Sequence, residues 1–299
     1  MNHITSKRSA QGGVTLIELL VGITIGLLTI AVAMGALMVS RGVSGTVSDA
    51  TEIQQQAAYA FRVFGQQLRQ AGSVKLKLSA AKMIEDNVPA LPGEAVAFET
   101  DYFDVTNALD FILPRDTLSG LDAPSSTEYK LTTGYRNYTE PLYTAASAAS
   151  VQRNCVGDNG TSVLVQSAFV LFVDPADPNR RELRCNGNGN VQPIIRNVAN
   201  FQVRYLMQSA AGTGNPNLRY VDAATVGAPG SPGWAQVFAV EVCLVLYGNE
   251  AIDLPAGSTY TDCDGATPVD MTTLAAPRNR RMHLVFRNIY QLRSQGLSG

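Results

Sequence analysis

The chain has 299 residues, room for one large or two ordinary domains, with 45% hydrophobic and 16% charged residues. A net charge of −2 with no basic block argues against a nucleic-acid binder. The histidines are only His3 and His283, which removes most histidine-based catalytic and zinc schemes, and the four cysteines form no C-x-x-C pair.

The chain opens with a polar segment, MNHITSKRSAQGG, and continues into the apolar run VTLIELLVGITIGLLTIAVAMGALMV. A spanning helix needs ~20 mainly apolar residues, and this run is long enough. Lys7 and Arg8 ahead of it place the N-terminus in the cytoplasm, an asymmetry that Arg41 makes modest. A cleaved secretory signal has a shorter apolar core followed by a small-x-small site, whereas here a Gly-Gly pair precedes the run. An ordinary anchor leaves Glu18 unexplained. It is the only ionisable residue from Val14 to Val39, and a carboxylate near the bilayer centre costs ~2.5–3.5 kcal/mol or more. Near the helix start the cost is smaller and the helix dipole favours the charge.

The string Gly13-Val14-Thr15-Leu16-Ile17-Glu18-Leu19-Leu20-Val21 resembles the type III signal of type IV prepilins and type II secretion pseudopilins. The resemblance implies cleavage after Gly13 by prepilin peptidase, a membrane aspartyl peptidase, and N-methylation of Val14. Glu18 then becomes the fifth residue of the mature chain. Val14 departs from the phenylalanine most common there. The role of the glutamate has its own physical logic. A carboxylate in a bundle of apolar helices is costly until it meets a cation, and a neighbouring subunit's free amino terminus supplies one. Such a pair fixes axial register, as a buried polar residue does in a coiled coil.

Past Arg41-Gly42-Val43-Ser44-Gly45, apolar or small residues recur at Ile53, Ala57, Ala60, Phe61, Phe64, Leu68 and Ala71, one face of an amphipathic helix. Gln54, Gln55, Arg62, Gln66, Gln67, Arg69 and Gln70 fall on the other positions, and Gly72 suits a C-cap. One helix of about 60 residues follows, roughly 90 Å at 1.5 Å per residue. Gly22, Gly26, Gly35, Gly42 and Gly45 allow bending, and the first three equally suit close helix packing in a membrane. The expected organisation is a leader over 1–13, a transmembrane assembly helix and stalk over 14–72, and a β-rich head over 73–299.

Beyond Gly72 short apolar or alternating runs predict strands over Glu94–Phe98, Ala108–Leu113, Glu128–Thr132, Val163–Val173, Ile194–Ile195 with Phe201–Met207, Trp234–Tyr247 and Met282–Ile289. Turn residues separate them at Asp174–Pro178, Asn186–Asn190 and in a loop over Ala211–Gly233. The predicted class is α+β, a pilin-like fold with a long N-terminal helix packed on a mainly antiparallel head with long loops.

Residues 183–293 carry a second resemblance. The order LRC, QPIIRNVANFQVRYLM, GWAQVFAVEVCLVLYG and RRMHLVFRNIYQLR is similar to the C-terminal region of PilW-type minor pilins.

An even number of cysteines outside a membrane anchor suits two disulfides in an oxidising compartment. Cys155, Cys185, Cys243 and Cys263 allow three connectivities. The sequential one is favoured because each pair brackets a strand and loop able to return as a hairpin. Asp174, Asp177 and Asn179, or Asp158 and Asn159, offer oxygens to calcium. The full calcium-loop motif is missing, and turn formation accounts for them better, so no metal or cofactor is expected. His283 falls in a predicted strand, with no nucleophile motif beside it, so no catalysis is expected.

Together these features imply a PilW-like minor pilin. It would sit in the inner membrane with a cytoplasmic N-terminus and enter an extracellular type IV pilus after processing. The resemblance implies a place at or near the pilus tip, in a priming complex. Its partners would be prepilin peptidase, other minor pilins, the major pilin and a large tip adhesin, with no nucleic acid. The alternatives are a J-type minor pseudopilin of type II secretion and, from another class, a membrane-anchored periplasmic binding domain.

Overall fold

The computed structural model describes residues 13–74, 76–77, 97–98, 111–143, 147–159, 163–208 and 218–292. Residues 1–12 of the expected leader lie outside these, as do 94–96 and 108–110 of two expected strands and 211–217 of the expected loop. The chain divides into two compact units, ending and beginning at Ser48 and Asp49.

Helix α1 is Leu16–Gln70 and stays helical through all five glycines that could have bent it. Within the first unit, Leu16–Met38 is long and apolar enough to cross a membrane, and none of it is buried.

The second unit starts with the last part of α1. Its apolar face enters the core as the spacing predicts: Ile53, Ala57, Ala60, Phe64, Leu68 and Ala71 are all buried. Gln67 is a correction. Its side chain is buried rather than on the solvent face. Position 67 lies three and seven residues past Phe64 and Ala60, so helical geometry alone puts it on the buried stripe.

The chain leaves α1 through Gly72, which has φ 69° and donates its N–H to the Gly134 carbonyl at 2.8 Å. Strands β1 (Leu76–Lys77) and β2 (Ala97–Phe98) pair antiparallel. The expected strand over Ala108–Leu113 is replaced, where it can be seen, by irregular Phe111 and Ile112 and a short helix α2, Leu113–Asp116. Asp116 Oδ2 accepts the Ile112 N–H at 2.7 Å, closing that turn against extension.

One antiparallel sheet runs in the order β3 (Leu118–Gly120), β4 (Leu131–Arg136), β5 (Leu164–Val173), β6 (Arg181–Gly187) and β7 (Asn190–Arg196). The expected strand at Glu128–Thr132 is thus displaced towards the C-terminus, with Glu128 in the preceding turn, where its carboxylate accepts the Ser125 N–H at 2.9 Å. The Asn186–Asn190 turn is the hairpin between β6 and β7. Asn188 and Gly189 take φ 51° and 97°, the two positive values a tight primed turn requires. Asp174 and Asp177 serve the turn between β5 and β6, each accepting the backbone N–H two residues on, from Ala176 and Asn179.

The other main sheet has the order β13 (Arg281–Gln291), β10 (Val237–Ala251), β8 (Val198–Gln208) and β9 (Leu218–Val221), again antiparallel. Between β9 and β10 lie helix α3 (Ala223–Val226) and a 3-10 turn, Pro232–Gln236. Trp234 was expected to open the long strand but sits in that turn. It is fully buried, packs edge-on to Tyr205 at 4.9 Å and donates Nε1–H to the Gly227 and Ala228 carbonyls.

Strand β10 is buried on both faces. Val240, Val242, Leu244 and Leu246 join the main core with α1, while Cys243, Val245 and Tyr247 form a second cluster with Ala199 and Cys263. Its apolar run is near-continuous for that reason rather than alternating. The second cluster is covered from the loop that carries strands β11 (Thr259–Thr261) and β12 (Pro268–Asp270). The architecture is α+β, an N-terminal apolar helix followed by antiparallel sheets.

Candidate functional site

At the start of α1, Gly13 and Val14 are exposed and precede the helix. Thr15 donates its backbone N–H and its hydroxyl to Glu18 Oε2, each at 3.0 Å, and the Glu18 N–H reaches back to Thr15 Oγ1 at 3.4 Å. With Leu16 the first helical residue, Thr15 is the N-cap and Glu18 the third helical position, a reciprocal capping box. The carboxylate lies at the positive end of the helix dipole. The T-x-x-E spacing just before an apolar run is the sequence signature of this cap, a second reason for Glu18 beside its charge.

Both disulfides join cysteines in sequence order, Cys155 with Cys185 and Cys243 with Cys263. The second fastens the β11–β12 loop to the outer face of β10, and Arg287 Nη2 adds a bond to the Cys263 carbonyl at 2.8 Å. The first fastens the loop at 151–157 to β6 inside the main core.

A buried polar network, not foreseen from the sequence, lies beside that first disulfide. Gln67 Nε2 donates to the Arg153 carbonyl at 3.1 Å, and Ser167 Oγ donates to Gln67 Oε1 at 2.9 Å. Ser167 Oγ in turn accepts the Cys155 N–H at 3.0 Å, while the Tyr135 hydroxyl donates to the Arg153 carbonyl. Burial pushes the Tyr135 phenol well above its ordinary range. Gln67, Ser167 and Tyr135 are all buried, and each member of the network finds a partner, which is the condition for polar groups to be tolerated in a core.

Glu182 on β6 is the other buried acid of note. It accepts from Arg180 Nε at 2.9 Å and Arg184 Nε at 3.0 Å. Burial pushes its carboxyl up, but the two arginines outweigh that and hold it below the ordinary value. Arg184 also stacks 3.4 Å over the Phe172 ring. Nothing in this set pairs a nucleophile with a base. His283 is buried, stacks on Tyr260 at 4.8 Å and directs Nδ1 at the Arg281 carbonyl 2.9 Å away. Asp158 and Asn159 belong to the turn after Cys155, where Asn154 Oδ1 accepts the Asp158 N–H and Asn159 Nδ2 donates to the Ser150 carbonyl. Among the described residues no cluster of histidine, cysteine or acidic side chains could hold a metal ion.

A family model described as Type IV Pilus-assembly protein W matches residues 170–294, from late β5 past the end of β13. A model of the prokaryotic N-terminal methylation motif matches residues 8–34 and so spans Gly13 to Glu18. Among solved structures, a type IV-like pilin from Thermus thermophilus is similar, with 18% identity and a TM-score of 0.27, covering 60% of this chain and 83% of that one. A comparison with curated proteins finds no match.

Proposed function

We propose that this chain, a PilW-type minor pilin of the type IV pilus, is a structural assembly subunit that catalyses no reaction. Prepilin peptidase cuts it after Gly13 and methylates Val14. Before assembly it spans the inner membrane once through the segment that begins at Val14, with its N-terminus in the cytoplasm. After assembly it is part of the extracellular filament. There it takes part in the priming complex at the tip, with other minor pilins, the major pilin and a large tip adhesin as partners.

The observation that carries this reading is the joint presence of a methylation motif over 8–34 and a pilus-assembly match over 170–294. The N-terminal helix geometry supports it. Glu18 is held at the helix start by Thr15, with its carboxylate among the first exposed groups of the apolar segment. A neighbouring subunit's amino terminus can approach that carboxylate, replace the Thr15 contacts in part, and set the axial register of the filament. The head is built for persistence outside the cell, with two disulfides and a two-sided central strand.

Mass spectrometry of the chain purified from membranes tests the proposal. A mature N-terminus at methylated Val14 is expected. A chain beginning at Met1 would overturn it in favour of an ordinary membrane-anchored domain.

A further inference from the structure

A groove of about 490 Å³ opens between the last turns of α1, the loop at 151–157 and strand β7. Among the described residues β7 is an edge strand, paired with β6 alone. At one end Gln56 Oε1 accepts the Arg196 N–H at 3.1 Å and ties the helix to this edge. Farther along, at Gln192, Pro193 and Ile194, helix and strand part and the groove begins.

The groove is electrostatically one-sided. Its lining among the described residues includes Arg62 and Arg153 and no carboxylate. Both arginines are exposed. Arg62 lies 5.3 Å from the centre of the Tyr59 ring, and Arg153 Nη1 donates to the Ser150 and Gln152 carbonyls at 2.9 and 2.8 Å. The ring and the acceptors are neutral, so neither charge is met by a carboxylate among the described residues. Amide donors at Gln66, Gln70 and Gln192 line the same space. The wall that carries Arg153 is held in place. Its carbonyl takes bonds from Gln67 and Tyr135, and Cys155 two residues on is bridged to β6. A preformed site loses less freedom on binding than one that must be ordered.

We infer that this groove receives an extended acidic segment of a neighbouring pilus subunit, its carboxylates paired with Arg62 and Arg153. The inference rests on the pilin reading above. A carboxylate suits a guanidinium's forked donors, and the amides can serve the backbone of an extended chain. Nucleic acid fits less well. Binding to it draws on many phosphate contacts, and two arginines on a chain of net charge −2 supply few.

The test uses the full chain in piliated cells, with a photo-crosslinking amino acid at Gln70 and the attached peptide located by mass spectrometry. The expected product joins Gln70 to a stretch of another pilin subunit that bears two or more Asp or Glu residues. Its yield should fall about tenfold with R62E/R153E and return when the partner's carboxylates are changed to lysine, since a charge pair is restored. Both arginines are exposed, and intact disulfides and an unchanged melting temperature would confirm that the double variant folds. A crosslink to nucleic acid, a crosslink to a segment without carboxylates, no crosslink, or a yield indifferent to R62E/R153E would each overturn the inference. Sheared pili from the same cells separate the two levels. A chain present in pili without the acidic crosslink sinks the groove inference alone. A chain absent from pili sinks the subunit reading with it.

Discussion

The Tyr290 hydroxyl on β13 donates to the Phe61 carbonyl on α1 at 2.6 Å, with the Tyr290 ring lying against Gly65. A helix carbonyl is thus tied to a strand 229 residues away, and burial pushes the Tyr290 phenol up to about 12. A Cβ at position 65 would stand 3.0 Å from Tyr290 Cε1, so any side chain there needs the ring to give by a few tenths of an ångström. Gly65→Val should destabilise the full chain by ~1–3 kcal/mol through overpacking. Tyr290→Phe should cost only ~1 kcal/mol, the net value of one hydrogen bond. Chemical denaturation in detergent, followed by tryptophan fluorescence from Trp234, measures both. Equal losses would contradict the packing account.

Glu18→Ala should leave the chain in the membrane, because the apolar run is untouched and the substitution removes a costly charge. The same variant should be missing from sheared pili, where the register pair is lost. Thr15→Val removes one half of the capping box and keeps the carboxylate, so it should be incorporated nearly as the wild type is. Immunoblots of membrane and sheared fractions distinguish the two. Glu18→Ala at normal levels in pili would refute the register role.

Gln67→Leu keeps the helix propensity and approximate bulk but strips the Ser167 hydroxyl of its acceptor. A buried polar group left unpaired costs ~1–3 kcal/mol, so the melting temperature should fall. The double change Gln67→Leu with Ser167→Ala should then lose less than the sum of the single changes. An additive result would show that the two side chains do not act together.

Stability should fall as the pH drops from 7 to 5. Burial lowers the His283 pKa below the ordinary histidine value of about 6.5, with Arg278 and Arg281 adding to the shift and the bond to the Arg281 carbonyl and the charge of Asp262 opposing it. The unfolded chain therefore takes up this proton first, and folding free energy is lost from about pH 6.5 downward to the lower folded value. The titratable rings packed against it are Tyr247 and Tyr260, which stay neutral here, and Arg278 and Arg281 stay charged throughout. Carboxylates held low, such as Glu182 and Asp264, the latter at about 2, act only at more acid pH. His283→Gln should flatten the change in melting temperature between pH 7 and 5. A slope that persists in the variant would place the effect elsewhere.

Much of the head was legible where packing and periodicity agree. The buried stripe of α1 and the alternating Phe201–Met207 segment follow from spacing, and the disulfides take the sequential connectivity, the favoured one of the three the cysteines allow. No apolar run or strict alternation marks strand β6, RELRCNG, and only the PilW-like order that begins at its LRC points to it. Glu182 can be buried there only because two arginines from nearby positions meet it, which no hydrophobic pattern reveals. Gln67 is polar by type, yet its position on the helix puts it on the buried stripe. Strands of three or four residues, such as Leu118–Gly120 and Leu218–Val221, owe their existence to neighbours rather than to local preference.

The two-sided burial of β10 carries a consequence for how the head opens. Its amides lie between two apolar clusters and two long neighbouring strands, so they should exchange with solvent only when the whole head unfolds. The β11–β12 hairpin meets the rest of the head through one of those clusters, the Cys243–Cys263 disulfide, the Tyr260–His283 stack and side-chain bonds from Asn200 and Arg287, with no long neighbouring strand paired to it among the described residues. It should exchange earlier, as a separate local event, and Cys243→Ser with Cys263→Ser should bring that event forward without changing the order. The protein would then have one slow clock at its centre and one fast clock on its flank, with the Cys243–Cys263 bond setting the interval between them.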